Sequence, residues 1–239
     1  MATCWRAMAD VERILILGGT KEAAELAGAL SDAGRDVTTS LAGRTKEPKP
    51  LSGAVRIGGF GGVEGLAKWL VDNKITRMID ATHPFARQMS RNAEEAAKIA
   101  NVAFEVHQRP PWTRTSGDHW IEVDDISAAV KALPEGARVL LALGRQYIAP
   151  FAARESVFFL IRMVDPPDAP LPFAEHELLL SRPHEDAEDE KALLQDKGIT
   201  HIVCRNSGGK GAYAKIAAAR VLGLPVIMID HPDRREQNR

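Results

Sequence analysis

Three polar side chains stand close together directly after the short apolar run at residues 78–79. They are Asp80, Thr82 and His83. A carboxylate, a hydroxyl and an imidazole in one turn can hold a polar ligand and move a proton, because an unperturbed imidazole titrates near neutrality. Pro84 disfavours helical geometry at His83 and suits the first position of a helix. The pattern predicts a strand-to-helix turn at a strand's carboxyl end, where ligands bind in open parallel sheets.

A second candidate turn, Gly18-Gly19-Thr20, follows the first apolar run of the chain and opens a helical pattern. Glycines let a backbone approach a phosphate, and a helix N-terminus presents N–H groups with positive partial charge. The full G-x-G-x-x-G fingerprint is missing, because Ala23 and Ala24 stand where later glycines are expected. The turn favours a nucleotide phosphate, with an ordinary tight turn as the alternative.

The end of the second predicted strand bears on which nucleotide could bind. An NAD site places an acidic residue about 20 residues after the glycine turn, on the ribose 2′-hydroxyl. Here Ser40 and Arg44 stand in that region and no carboxylate does. Both side chains can donate to a phosphate, so the pattern favours the 2′-phosphate of NADP. An ordinary solvated arginine is the alternative for Arg44.

A third glycine-rich turn surrounds Phe60, with glycines at positions 58, 59, 61 and 62. Such a loop allows its backbone to approach a ligand closely, and plain flexibility is the alternative. The three turns all follow predicted strands, so a parallel sheet would bring them to one edge.

Strands and helices alternate along the chain, which predicts an α/β fold with parallel sheets and right-handed crossovers. We expect two lobes with a cleft between them. The strands are predicted at residues 13–17, 36–41, 55–57, 77–81, 103–107, 138–143, 157–161, 177–180, 201–205 and 225–229. The helices are predicted at 22–30, 63–71, 84–100, 126–133, 185–196 and 211–222. The expected divisions are a loose segment at 1–12, a nucleotide-binding lobe at 13–110, a linker at 108–118 and a C-terminal lobe at 119–232.

Composition excludes several classes of protein. The chain has 239 residues, 45% of them hydrophobic, and a formal net charge of −1, so neither nucleic acid nor a membrane surface is an expected partner. Cys4 and Cys204 alone cannot build a disulfide framework or a cysteine metal site. No run of about 18 apolar residues and no secretory signal pattern is present, so we expect a soluble cytoplasmic protein.

Several segments together resemble the precorrin-6A reductase (precorrin-6x reductase) family of cobalamin biosynthesis. The similar segments are residues 14–23, 58–62, 80–86, 109–112, 144–146, 206–210 and 214–215. The resemblance spans nearly the whole chain, and the Asp-Ala-Thr-His-Pro-Phe-Ala block is its most specific element. It implies two Rossmann-like lobes with the cofactor in the cleft between them. It also implies an NADPH-dependent reduction of one double bond in a partly built corrin ring. It also makes neighbouring enzymes of the pathway candidate partners.

The residues and the resemblance together assign candidate roles. Water could supply the proton to an electron-poor macrocycle, and His83 and Asp80 are the candidates if a side chain does, with helix capping or cofactor contact as the alternative for His83. The cofactor-binding candidates are Gly18, Gly19, Thr20, Lys21, Ser40, Arg44, Gly59, Phe60, Gly61, Thr82, His83 and Lys210. The substrate-binding candidates are Arg87, Arg91, Arg109, Trp112, Arg145 and Ser207.

The substrate-binding assignments follow from the chemistry of a tetrapyrrole rich in carboxylates. Such a substrate needs cations, and Arg87 and Arg91 are like charges one helical turn apart, which an anion between them would stabilise. A solvated helix face is the alternative for that pair. Trp112 and Tyr147 could flank a flat macrocycle, with packing between the lobes as the alternative for Trp112.

Other functions stay open or fail on spacing. A cobalt-containing precorrin-6A is an alternative substrate, and a non-catalytic NADP-binding sensor is an alternative of another class. A methyltransferase could share the fold but would want an acidic residue after the second strand. A short-chain dehydrogenase fails because neither Tyr147 nor Tyr213 has a lysine four residues on. No metal is expected, since the histidines lack His-x-x-x-His spacing.

Overall fold

The chain folds into two α/β units, each built on its own parallel sheet. A computed structural model describes residues 12–43 and 50–231. The units are Met1–Gln108 and Arg109–Arg239. Residues 109–118, predicted as a linker, therefore belong to the second unit.

The first unit contains a five-stranded sheet with the order β3-β2-β1-β4-β5, in which every neighbouring pair is parallel. Its strands are β1 (Arg13–Leu17), β2 (Asp36–Leu41), β3 (Ala54–Ile57), β4 (Arg77–Asp80) and β5 (Ala103–Val106). Its helices are α1 (Lys21–Asp32), α2 (Gly62–Asp72) and α3 (Arg87–Ala100). Because all strands run the same way, the turns after them lie at one edge of the sheet.

The core of the first unit has two faces, which follow the alternation of side chains along β1. Leu15 and Leu17 pack with residues of α2 and α3 on one face. Ile14 and Ile16 pack with Ala23 and other residues of α1 on the opposite face. The helices therefore cover both faces of the sheet, as the continuous apolar run at β1 predicts.

The second unit contains a six-stranded parallel sheet with the order β6-β11-β10-β7-β8-β9. Its strands are β6 (His119–Val123), β7 (Arg138–Ala142), β8 (Phe158–Met163), β9 (His176–Leu180), β10 (His201–Arg205) and β11 (Pro225–Ile229). Its helices are α4 (Ile126–Lys131), α5 (Ala187–Asp196) and α6 (Ala214–Leu222), and 3₁₀ turns lie at Arg145–Tyr147 and Ala149–Ala153. Among the described residues, no helix has the length and apolar character that a membrane span requires.

The α/β class and the two parallel sheets are confirmed, and the predicted strands are all present within two residues of the expected bounds. One strand, β6, was missed. It lies at the edge of its sheet and pairs only with β11. Of its residues only Trp120 is buried, so no continuous apolar run marks it.

The prediction that the third helix begins at Pro84 is wrong, because α3 begins at Arg87. Pro84 and Phe85 form a turn instead. The N–H of Ala86 donates to the carbonyl of His83 at 2.7 Å and closes this turn. The chain needs these extra residues to pass from the sheet edge to the helix axis, so the proline lies one turn before the helix.

Gly65 in α2 is required by a close backbone approach and provides a test of the fold. A Cβ atom at this position would lie 1.8 Å from the carbonyl oxygen of Phe60. We expect Gly65→Ala to destabilise the protein by about 1–3 kcal/mol, as overpacking does, measured by urea unfolding. The matched control is Gly28→Ala in α1, where the nearest atom, Ser52 Oγ, would lie at 3.9 Å. There the helix propensity of alanine should leave stability unchanged or raise it by about 0.5–1 kcal/mol. Equal effects of the two substitutions would contradict the prediction.

Candidate functional site

The first sheet has a topological switch point between β1 and β4. β2 and β3 lie on one side of β1, whereas β4 and β5 lie on the other. The chain leaves β1 for α1 on one face of the sheet and leaves β4 for α3 on the opposite face. Open α/β sheets bind ligands in the crevice at such a point. The turns at this position are residues 18–20 and 81–83, the two turns that the sequence singles out.

The glycines of the first turn leave its backbone open to a ligand. The N–H of Gly18 donates to the carbonyl of Ser40 at 2.9 Å. A Cβ on Gly18 would lie 2.8 Å from Cγ2 of Thr39, so the tight approach to β2 excludes a side chain. Gly19 has φ +110°, and nothing lies within 4 Å of where its Cβ would be. The bond from Gly18 therefore fixes where the turn begins, and the space beside Gly19 is open to a ligand.

Thr20 joins the two turns of the switch point. As the N-cap of α1, its Oγ1 accepts from the N–H of Ala23 at 3.0 Å. The same hydroxyl donates to the carbonyl of Ala81 at 3.0 Å. The hydroxyl thus holds the end of β4 against the start of α1. Lys21, the first residue of α1, is exposed.

Asp80 is buried at the end of β4 with only half of its carboxylate satisfied. Its side chain is 1% exposed. Oδ1 accepts from the N–H and from the hydroxyl of Thr82, at 3.0 and 2.7 Å. Oδ2 is buried and has no hydrogen-bond partner among the described residues. A buried carboxylate oxygen of this kind calls for a donor, and a ligand at the switch point could supply one.

His83 is half-buried in the same turn. Its Nδ1 accepts from the N–H of Phe85 at 3.3 Å, and the two rings lie 5.7 Å apart. Because Nδ1 is the acceptor, the proton of the neutral imidazole lies on Nε2. Nε2 is then the ring atom that could donate to a ligand.

The glycine-rich loop after β3 is held by Arg56, which the sequence reasoning missed. Nη1 and Nη2 donate to the carbonyls of Gly58 and Gly59 at 2.5 and 2.6 Å. The guanidinium carbon lies 3.7 Å from the centroid of the Phe60 ring. Phe60 in turn packs edge-on against Trp69 at 5.5 Å. The only sequence signal was an arginine two residues before a glycine-rich loop.

The end of β2 bears on the choice between NAD and NADP. Ser40 is 7% exposed and pairs in register with Leu17 and Arg56, so it lies inside the sheet. Ala42 and Gly43 follow β2, and no carboxylate stands among the described residues there. Arg44, predicted to bind the 2′-phosphate, lies outside the described residues.

Two predicted substrate-binding arginines lie on the first turns of α3. Arg87 and Arg91 are both exposed. Nη2 of Arg91 donates to Oε1 of Gln88 at 3.1 Å. Glu94 pairs with Lys98 at 2.6 Å. The Glu94 carboxylate therefore pairs with a residue one turn further along α3, in the direction away from Arg91.

The second sheet has its own switch point, between β7 and β10. Arg145 lies in the turn after β7, and Ser207 lies in the turn after β10. Arg205 ends β10, and its guanidinium carbon lies 4.5 Å from the centroid of the Tyr147 ring. Two of the predicted substrate-binding residues thus lie at the edge where a ligand of this sheet would bind.

The loop after β10 is braced by residues 109–112. The buried side chain of Asn206 accepts from the N–H of Trp112 at 2.7 Å and donates to its carbonyl at 3.0 Å. Nε of Arg109 donates to the carbonyl of Ser207 at 2.6 Å, and Nε1 of Trp112 donates to that of Gly209 at 2.7 Å. Trp112 is only 8% exposed, so its ring supports the loop from within the unit.

The remaining two cations of the prediction differ in their surroundings. Arg145 pairs with Asp168 at 2.7 Å and donates to the carbonyl of Pro166 at 2.6 Å. Lys210 is exposed at the end of the braced loop. It lines a groove of about 510 Å³ together with Trp112 and Tyr213. Both cations are exposed, but the guanidinium of Arg145 is engaged by Asp168 and Pro166.

Two buried charged groups near this groove were not predicted. Lys215 is 5% exposed, and its Nζ donates to the carbonyl of Ala212 at 2.6 Å and lies 5.1 Å from the Trp112 ring. Burial lowers the pKa of its ammonium group. The carboxylate of Asp118 accepts from Arg220 at 2.9 Å. Burial alone would raise the pKa of this carboxyl. The hydrogen bonds from Arg220 and Thr115 outweigh burial, so the pKa is lowered. Within the described ranges, no group of three potential metal-binding side chains is found.

Fold and site together define a Rossmann-like α/β protein with an open glycine turn at the switch point of its first sheet. The sequence profile of the family described as precorrin-6x reductase CbiJ/CobK matches residues 13–239. The chain belongs to this family.

Individual relatives agree with the family assignment. A precorrin-6A reductase of Rhodobacter capsulatus is 48% identical over 221 residues, which cover 92% of this chain and 88% of the relative. A solved structure titled CobK precorrin-6A reductase superposes with a TM-score of 0.90 at 47% identity, covering 92% of this chain and 88% of that one. A cobalt-precorrin-6A reductase of Priestia megaterium is 26% identical, covering 92% of this chain and 90% of its own.

The hydroxyl of Thr20 provides a test of the switch point. We expect Thr20→Val to destabilise the protein by about 1–2 kcal/mol, because the variant lacks both the N-cap acceptor and the donor to Ala81. Urea unfolding measures the change. Thr20→Ser keeps the hydroxyl and should retain most of the stability. A valine variant as stable as the serine variant would show that the hydroxyl does not hold the two turns together.

Proposed function

We propose that this chain reduces one carbon–carbon double bond of precorrin-6A, with NADPH as reductant, in cobalamin biosynthesis. The observation that carries the proposal is the family match over residues 13–239, since it includes the turns of both sheet edges. Metal-free precorrin-6A is favoured over the cobalt form by similarity. The Rhodobacter capsulatus relative is 48% identical, whereas the cobalt-precorrin-6A reductase is 26% identical.

The geometry of the first unit fits a nicotinamide dinucleotide. The turn at Gly18 and Gly19 leaves no room for a side chain on one side and is open on the other. The N-terminus of α1 follows at once, where N–H groups and the helix dipole favour a phosphate. The unsatisfied Oδ2 of Asp80 could accept from an amide or hydroxyl of the cofactor. The lack of a described carboxylate after β2 favours NADPH over NADH.

When bound, NADPH supplies the hydride for the reduction. The chain's own residues then have to orient the reactants and handle a proton. Thr20 fixes the β4 turn against α1, and Asp80 fixes Thr82 through two hydrogen bonds. If water does not deliver the proton, His83 and Asp80 are the candidates, and His83 could do so only as imidazolium, in which Nδ1 no longer accepts from the N–H of Phe85. Orientation is therefore the main contribution of the protein to the rate.

Substrate carboxylates would bind to the exposed cations near the two sheet edges. In the first unit these are Arg87 and Arg91, whose mutual repulsion an anion would relieve. In the second unit Arg145 has that role, and Lys210 could bind either a substrate carboxylate or a phosphate of the cofactor. Arg109 acts mainly through the loop, because its Nε already bonds the carbonyl of Ser207.

The direct test is anaerobic turnover with purified precorrin-6A. We expect the nicotinamide absorbance to fall with NADPH and precorrin-6A together, and to stay constant with NADPH alone. The relative turnover with cobalt-precorrin-6A, measured in parallel, decides between the two substrates. If NADPH is oxidised only with cobalt-precorrin-6A, the cobalt form is the substrate and the assignment to metal-free precorrin-6A is wrong. Tight NADPH binding without turnover of either form would favour a non-catalytic NADP sensor.

Arg44 tests the choice of cofactor. We expect the wild-type chain to bind NADPH much more tightly than NADH in a fluorescence titration. Arg44→Ala should weaken NADPH binding by about tenfold and leave NADH binding unchanged, because only NADPH carries the 2′-phosphate. The control is Arg35→Ala, an exposed arginine at the amino end of β2. An unchanged preference in Arg44→Ala would remove Arg44 from the site.

A further inference from the structure

Arg56 makes a set of contacts that a surface arginine does not need. Its guanidinium stacks on the Phe60 ring at 3.7 Å and donates to two successive carbonyls, those of Gly58 and Gly59. Arg56 also pairs in register with Ser40, so both lie on the same face of the sheet. One side chain therefore fixes both the peptide planes and the aromatic ring of the loop.

The direction of the two carbonyls determines the direction of the following amides. In a planar trans peptide, the N–H of the next residue points opposite to the C=O, and the described chain contains no cis peptide bond. The carbonyls of Gly58 and Gly59 point at Arg56. The N–H groups of Gly59 and Phe60 therefore point away from it.

The glycines of the loop leave open space where side chains would stand. No atom lies within 4 Å of the position that a Cβ would take at Gly58, Gly59, Gly61 or Gly62. The loop runs directly into α2, whose N-terminus has no side-chain cap. Successive backbone N–H groups beside a free helix N-terminus form a concave site for an anion.

We propose that Arg56 is a positioning residue that holds this loop in its anion-binding form, with the N–H groups of Gly59 and Phe60 turned towards a phosphate of the cofactor. The inference rests on the proposed use of NADPH. Arg56 itself does not contact the cofactor in this arrangement, because its Nη atoms are engaged by the loop carbonyls. Its charge adds to the positive potential behind the loop.

The experiment combines NADPH titration with hydrogen–deuterium exchange of the peptide at residues 58–66. We expect Arg56→Gln to weaken NADPH binding by about tenfold and to speed exchange in this peptide without cofactor. Arg56→Lys can reach one carbonyl but can neither bridge two nor stack, so we expect an intermediate loss of about threefold. The matched control is Lys68→Gln, which removes one positive charge from an exposed position of α2. It should change neither measurement.

The outcomes separate this inference from the proposed cofactor. Wild-type NADPH affinity in Arg56→Gln, with the wild-type chain binding NADPH, overturns the role of Arg56 and leaves the proposed function intact. An equal loss in Lys68→Gln also overturns it, since general charge would then explain the effect. Failure of the wild-type chain to bind NADPH overturns the cofactor assignment. In that case faster exchange in Arg56→Gln supports the loop-holding role, and unchanged exchange overturns it.

Discussion

One hydroxyl group joins the two turns at the switch point of the first sheet. Thr20 bonds Ala23 in α1 and Ala81 beyond β4 with the same oxygen. At a switch point the chain leaves neighbouring strands towards opposite faces of the sheet, and the last backbone bond between β1 and the β4 turn runs from the N–H of Ala81 to the carbonyl of Leu17 at 3.0 Å. The Thr20 hydroxyl adds a bond beyond this ladder, from the start of α1 to the β4 turn, and so helps to position Asp80 and His83 relative to the glycine turn.

In the second sheet, a different set of bonds holds the loop at the switch point. Its loop after β10 is held by the segment that precedes the sheet, through the paired bonds between Asn206 and Trp112 and the bonds that Arg109 and Trp112 donate to loop carbonyls. The buried side-chain amide of Asn206 bonds both the N–H and the carbonyl of Trp112, so it fixes the orientation of that backbone as well as its distance. The loop can therefore present Lys210 at its exposed end while its own backbone is fixed.

The sheets were predictable because burial on both faces leaves a continuous apolar run in the sequence. β1 shows this clearly, since four of its five residues are buried. β6 carries no such signal, because an edge strand with one buried residue resembles the polar segment before it. The start of α3 was predicted from Pro84, which suits a first helical position. The hydrogen bond from Ala86 to His83 makes Pro84 part of a preceding turn, and this depends on the path from sheet to helix.

The candidate site was predictable where a side chain or a glycine turn could match the ligand, as at Gly18 and Asp80. Arg56 was not, because its partners are backbone carbonyls, and every residue in a chain has one. Trp112 was predicted as a surface for the macrocycle, and the structure adds a contact that its motif did not show, since its indole donates to the carbonyl of Gly209. Side chains that bond to backbone carbonyls leave no sequence motif from which their partner can be identified. Finding them requires the local fold, because only the fold shows which carbonyls turn towards them.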